Sequence, residues 1–169
     1  MKEIMERAKR LEQIHTRRTH VGGAWLCFCA ALALHITDEA LTGFLGVYNA
    51  TVVALKQNFA FLVLPTFTFR QWLFGLVSLV LLMTAVSPAL FKNSRWVRPL
   101  AYFMAVVAGI LNAFGHTVAT ILGHTVGSVT FRRPAPGFYS SPILLIAAVT
   151  LLLDLRRSRG SSTVTSTAK

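Results

Sequence analysis

The sequence predicts an all-α polytopic membrane helix bundle, with four transmembrane helices preceded by an N-terminal cytoplasmic amphipathic helix. Three observations predict it. Hydrophobic residues make up 54% of the 169-residue chain and charged residues only 14%, far from an ordinary soluble composition. The apolar residues collect into runs long enough to cross a bilayer. The Lys and Arg residues, which set a net charge of +11, sit in clusters that bracket those runs. Such bracketing is membrane topology rather than a phosphate-tracking face, and it argues against a nucleic-acid partner.

Residues 1–20 read as a basic amphipathic helix with Ile4, Met5, Ala8, Leu11 and Ile14 on one stripe, suited to lying on anionic headgroups. The polar stretch is too long, and lacks the small-residue cleavage site, for a signal peptide. A transmembrane domain over 21–155 follows. Its first span runs from about Val21 to Phe44, and Val52 to Leu64 reads as an interfacial or re-entrant helix interrupted by Lys56, Gln57 and Asn58. The second span is Gln71 to Phe91, the third runs from Arg98-Pro99 to about Leu122, and Thr130 to Gly137 is a loop. The fourth begins at Ser140-Ser141-Pro142, a Ser cap with Pro in the first turn, and ends at Asp154. The remainder, 156–169, is a basic and then Ser/Thr-rich tail without core-forming residues, expected to be disordered.

Basic residues give the orientation. Thirteen of the 17 lie in the N-terminal segment, the Lys92–Arg98 loop and the C-terminal segment; Lys56, Arg70, Arg132 and Arg133 lie in the opposite loops. The positive-inside rule then puts a multi-pass protein in the cell membrane with both termini cytoplasmic. Cys27 and Cys29, two apart on one helix, do not face each other and read as inert thiols.

Against this background the polar residues inside spans stand out, because each costs about 2.5–3.5 kcal/mol to insert. Of the six acidic residues, Asp38 and Glu39 lie side by side in the first apolar run, with His35 one turn before them. The third span carries Asn112, His116, Thr120 and His124 at intervals of four. At about 1.5 Å rise per residue, His35 lies roughly 21 Å and Asp38 and Glu39 roughly 26 Å from the cytoplasmic boundary, against about 20 Å for Asn112 and 26 Å for His116. The two clusters therefore meet at one level, while His124, about 37 Å up, falls outside or folds back with the loop. His35 faces Glu39 at i, i+4 and Asp38 at i, i+3. Imidazole and carboxylate donors at this spacing suit zinc, iron or manganese, as in the Glu-x-x-His pairs of helical bundles.

His35-Ile36-Thr37-Asp38-Glu39 resembles the motif that names the HXXEE integral membrane proteins. Asn112-x-x-x-His116, with Pro136-Gly137 and the fourth span after it, is similar to that family's second half; the resemblance covers roughly Leu34 to Leu152. It departs at Asp38, where the name expects Glu, so that carboxylate's reach shortens by one methylene. The resemblance implies a small multi-helix membrane protein with polar residues shared between spans, and says nothing of substrate.

The leading expectation is a metal-dependent enzyme acting on a lipid-soluble substrate. His35, Glu39 and His116 would be metal ligands, Asp38, Glu39 and His124 the candidate catalytic groups, and Asn112 a residue orienting a ligand from behind. Arg132 and Arg133 read as solvated charges or as a clamp for an anionic headgroup. Other readings of the same residues remain: a hydrogen-bonded network joining two helices, proton or ion carriage, which four short spans would support only as a homo-oligomer, and haem held by two His. In every case the surrounding partners are membrane lipids.

Overall fold

The computed structural model describes residues 1–159 apart from Asn93, Arg95 and Gly127; the side chains of residues 2–3, 7–18 and Arg159 lie outside that description. The expected tail 160–169 and most of the expected amphipathic stripe (Ala8, Leu11, Ile14) therefore fall outside the described residues. Helices account for the architecture, in the order α1 (Lys2–Thr42), α2 (Phe44–Asn58), α3 (Phe69–Ala85), α4 (Ser87–Phe91), α5 (Arg98–Met104), a π-helical segment (Ala105–Leu111), α6 (Asn112–Leu122) and α7 (Ser141–Arg159).

The first helix organises the rest. Its buried positions Val21, Trp25, Phe28, Leu32, His35 and Glu39 recur at steps of four and three, which keeps them on one stripe. α7 answers with Ser141, Leu144, Ala148, Leu151, Leu155 and Ser158, stepping three and four. The two helices run antiparallel. Ser140, just before α7, meets His35 near the end of α1, whereas at the far end of α7 the Leu155 carbonyl and Ser158 hydroxyl take the Arg98 guanidinium at 2.9 and 2.5 Å. α5, the π-helical segment and α6 complete the core along the same seam through Ala101, Met104, Ala105 and Gly109. Small residues let backbones approach, the packing that associates helices in a lipid solvent. A Cβ on Gly109 would lie 2.4 Å from the Ala148 Cβ and 3.0 Å from the Phe28 ring.

Local chemistry sets the breaks. α1 ends where Gly43 turns left-handed (φ 79°) and its N–H bonds the Glu39 carbonyl. α3 starts on a capping box formed by Thr68 and Gln71. It stops at Ala85, ahead of Ser87-Pro88, since proline has no N–H to continue the ladder. The buried Trp25 indole donates to the Met83 carbonyl near that break at 2.9 Å.

Several expectations change. The helix does not divide at residue 20, because α1 passes through Gly22-Gly23 without a break. The segment expected as a helix over Val52–Leu64 is helical from Phe44 and only as far as Asn58, and Asn49 then pins the returning strand of chain through both the N–H and C=O of Phe67. The π-helical segment has no counterpart in the reading from sequence. Among the described residues, three stretches are long and apolar enough to cross a membrane: Thr19–Thr42, Phe69–Phe91 and Arg98–Leu122. α7, expected as a fourth span, is helical throughout, but its apolar run from Pro142 to Leu153 extends only about 18 Å.

The Gly109 contact yields a test. Gly109→Ala should lower stability in detergent by about 1–3 kcal/mol through overpacking against Ala148. Gly75→Ala, also mid-helix but with open space at its Cβ, should be neutral or slightly stabilising. Equal midpoints for the two variants in a denaturation series would contradict the packing described.

Candidate metal centre

α1 and α6 run parallel, bridged by side chains, so that two i, i+4 pairs face each other: His35 meets Asn112 and Glu39 meets His116. Glu39 Oε1 lies 3.1 Å from His116 Nε2 and 3.5 Å from His35 Nε2. All three side chains are buried (0, 4 and 7% exposed for His35, Glu39 and His116). The ligand atoms of His35, Glu39 and His116 lie within 4.8 Å of one another, and together they could hold a metal ion. The rings of His35 and His116 meet edge to face at 4.9 Å, and Phe44 packs 5.5 Å from His116.

Hydrogen-bond directions fix what His35 offers. Ser140 donates its hydroxyl to Asp38 Oδ2 at 2.7 Å, and its backbone N–H reaches the same oxygen at 2.9 Å. With that proton committed to the carboxylate, the contact of 2.8 Å between Ser140 Oγ and His35 Nδ1 has the imidazole N–H donating. His35 Nε2 is then an acceptor, and the Asn112 amide donates to it at 2.9 Å. A single chain of donors runs from Asn112 through His35 and Ser140 to Asp38. His35 Nε2, whose lone pair Asn112 occupies, also lies 3.5 Å from Glu39 Oε1.

The loop before α7 closes the site. Gly137 N–H bonds Thr42 Oγ1 at 3.0 Å, and Ala135 N–H bonds Thr120 Oγ1 at the same distance. Each threonine also donates back to a carbonyl four residues earlier, Thr42 to Asp38 and Thr120 to His116. Both ends of the loop are thus tied to the turn that carries a site residue. Gly137 has φ 80°, and a Cβ there would lie 2.8 Å from His116 Cε1 and 2.9 Å from Glu39 Cγ, so glycine supplies both the conformation and the room.

Of the residues singled out from sequence, the structure brings together His35, Glu39, His116 and Asn112. Asn112 meets the inward nitrogen of His35; the contact from behind, expected of Asn112, is made by Ser140. Asp38 is half-buried and faces Ser140 and the loop. His124 is exposed, bonded through Nδ1 to the Thr125 carbonyl, and is not part of the three-residue group. Arg133 is exposed, as a solvated charge would be, and also bonds the Leu122 carbonyl at the end of α6. Thr120 belongs to the polar series legible in the sequence; Ser140, Gly137 and Thr42 were missed as site residues. Ser140 reads in sequence as a helix cap, and its bond to His35 depends on which side chains the fold sets beside it.

The chain matches no family model, no curated protein and no solved structure.

Proposed function

We propose that this is a membrane enzyme that holds a divalent transition metal between His35, Glu39 and His116 and acts on a lipid-soluble substrate. One observation carries the reading: Glu39 Oε1 lies 3.5 Å from His35 Nε2 and 3.1 Å from His116 Nε2, with all three side chains buried and their ligand atoms within 4.8 Å of one another. A buried carboxylate is costly unless donors or a cation compensate it. Both separations from Glu39 are close to the spacing of about 3.3 Å that a tetrahedral ion with bonds of about 2.0–2.1 Å sets between its ligands, and such an ion would take the His35 Nε2 lone pair from Asn112. Among the described residues, the ion-pair partners of Glu39 are the two histidines, with no Lys or Arg at this depth.

Zinc, iron and manganese all accept two imidazoles and one carboxylate, and such an ion would supply Lewis acidity in a site shielded from water. Three protein ligands leave a position open for substrate. Asp38 acts through Ser140 to hold the His35 tautomer, the outer-layer hydrogen bond that metal-bound histidines regularly make. His124 stands at the approach to the site rather than at its centre. The resemblance to the HXXEE proteins rests on these same residues.

A second reading has one observation in its favour. Asn112 already donates to His35 Nε2, and His116 can donate to Glu39, so the four residues also form a closed network joining α1 and α6 without an ion. The readings separate on addition of metal. Zinc, manganese or ferrous iron added to chelator-treated protein should raise its unfolding free energy by about 2.7 kcal/mol at a hundredfold excess over Kd. Glu39→Gln and His116→Ala should abolish the gain, Asn112→Ala should keep it, and Ser140→Ala should weaken affinity about 10–100-fold. No stabilisation by any of the three ions, with Asn112→Ala as damaging as His116→Ala, would favour the network.

We also infer four crossings with both termini cytoplasmic. The support is the antiparallel course of α7, which accompanies α1 from the level of Asp38 to that of His20, where Asp154 and Ser158 line a common pocket with His20. One buried face lets so short an apolar run cross. In a background lacking Cys27 and Cys29, cysteine at Arg157 should be labelled by an impermeant thiol reagent only after the membrane is opened, and cysteine at Ser128 in intact cells. Labelling of Arg157→Cys in intact cells would contradict the fourth crossing.

A further inference from the structure

We propose that the cavity between α2, α6 and the loop after α6 binds a single-chain amphiphile with an anionic end, which reaches the metal centre past His116. The inference rests on the function proposed above and names the substrate class of that site.

The cavity has a volume of about 390 Å³, towards the small end of the range for ligand pockets and sized for one chain rather than a two-chain lipid. Phe44, Val47, Phe114 and Val118 supply apolar walls. Asn112 and His116 form part of one wall, and of the three candidate ligand residues His116 is the one that lines the space. The cavity is therefore continuous with the centre on a single side. It opens sideways to the bilayer, since Leu111, Phe114 and Leu122 along its edge are more than half exposed on a helix apolar enough to cross the membrane.

Its rim is polar, with basic side chains just beyond it. His124 and Thr125 line it, and the Thr125 hydroxyl is joined to Thr51 on α2 at 2.6 Å, which closes the outer end of the space. His124 Nδ1 donates to the Thr125 carbonyl, which fixes the ring at the rim. The Arg133 guanidinium packs against Gly123 and bonds the carbonyl of Leu122, itself a lining residue, with Arg132 next to it. The stretch 123–139 contains no Asp or Glu. Positive charge without a compensating acid sits where an amphiphile in the bilayer would carry its polar end, and favours a carboxylate or phosphate over a neutral alcohol.

Gly115 offers a way to test this. It lies on the exposed face of α6, lines the cavity and has open space where a Cβ would be, so a larger side chain enters the cavity without disturbing the helix. A fatty acid carrying a mid-chain diazirine, and the matching fatty alcohol, are photolysed with the detergent-purified full chain, and the adducts are mapped by peptide mass spectrometry. Adducts on α2 and α6 are expected, with the acid labelling more than the alcohol, and Gly115→Leu should reduce labelling about tenfold while metal content matches wild type. Adducts confined to the groove between α1 and α7, equal labelling by acid and alcohol, or undiminished labelling of Gly115→Leu would overturn the proposal. The mapping is made on the wild type, so it decides even where the variant fails to fold. Labelling on α6 in a protein that binds no metal would support the cavity and overturn the enzyme reading instead.

Discussion

A carboxylate buried among helices long and apolar enough to cross a membrane is the constraint from which the rest of this structure follows. Glu39 sits on the same stripe of α1 that carries Trp25, Phe28 and Leu32, a position an apolar residue would fill at no electrostatic cost. Two histidines converge on it, one from its own helix and one from α6. His116 reaches it because α6 is in register with α1, and that register depends on the close approach of Gly109 to Ala148 and Phe28 on the same seam. The loop over the site is held by threonines four residues beyond Asp38 and His116, so the parts that close the site are the parts that carry it. Packing and polar satisfaction are here one problem, since a helix shift that loosened the core would also leave the Glu39 carboxylate without its partners.

The arrangement separates holding from access. His35 is fixed on its outer nitrogen by Ser140 and, behind it, Asp38, and it is fully buried. His116 has the opposite situation: it borders a cavity with exposed apolar residues along its edge, and its ring is bounded by Phe44 and the backbone at Gly137. The lipid-phase chemistry proposed above would need this asymmetry, with one side rigid and sealed and the other reachable by a substrate.

The sequence made legible what helical geometry alone determines. The pairing of His35 with Asn112 and Glu39 with His116 followed from equal rise along two parallel spans. The start of α7 at Ser141-Pro142 is a local signal and was read as such, whereas the break before Ser87-Pro88 falls inside what the sequence reads as one unbroken span. What depended on tertiary placement was not legible. Ser140 lies 105 residues from His35, and no pattern in its neighbourhood announces that its hydroxyl will orient an imidazole. The π-helical segment carries no distinctive residue, and the continuity of α1 through Gly22-Gly23 depends on the Phe91 ring packing against that glycine backbone. α7 was read as a span from its flanking charges and its cap, yet its apolar run is short for a crossing, while its buried face packs along α1 from Ser141 to Ser158.

The central claim is that the three buried side chains bind an ion. Elemental analysis of protein purified in detergent without chelators, wild type beside His35→Ala, tests it most directly. The account predicts near-stoichiometric zinc, iron or manganese in the wild type, lost in the variant although it still inserts and folds. Metal-free wild-type protein, or equal metal in both, would contradict it and leave His35, Glu39, Asn112 and His116 as a network that holds two helices together.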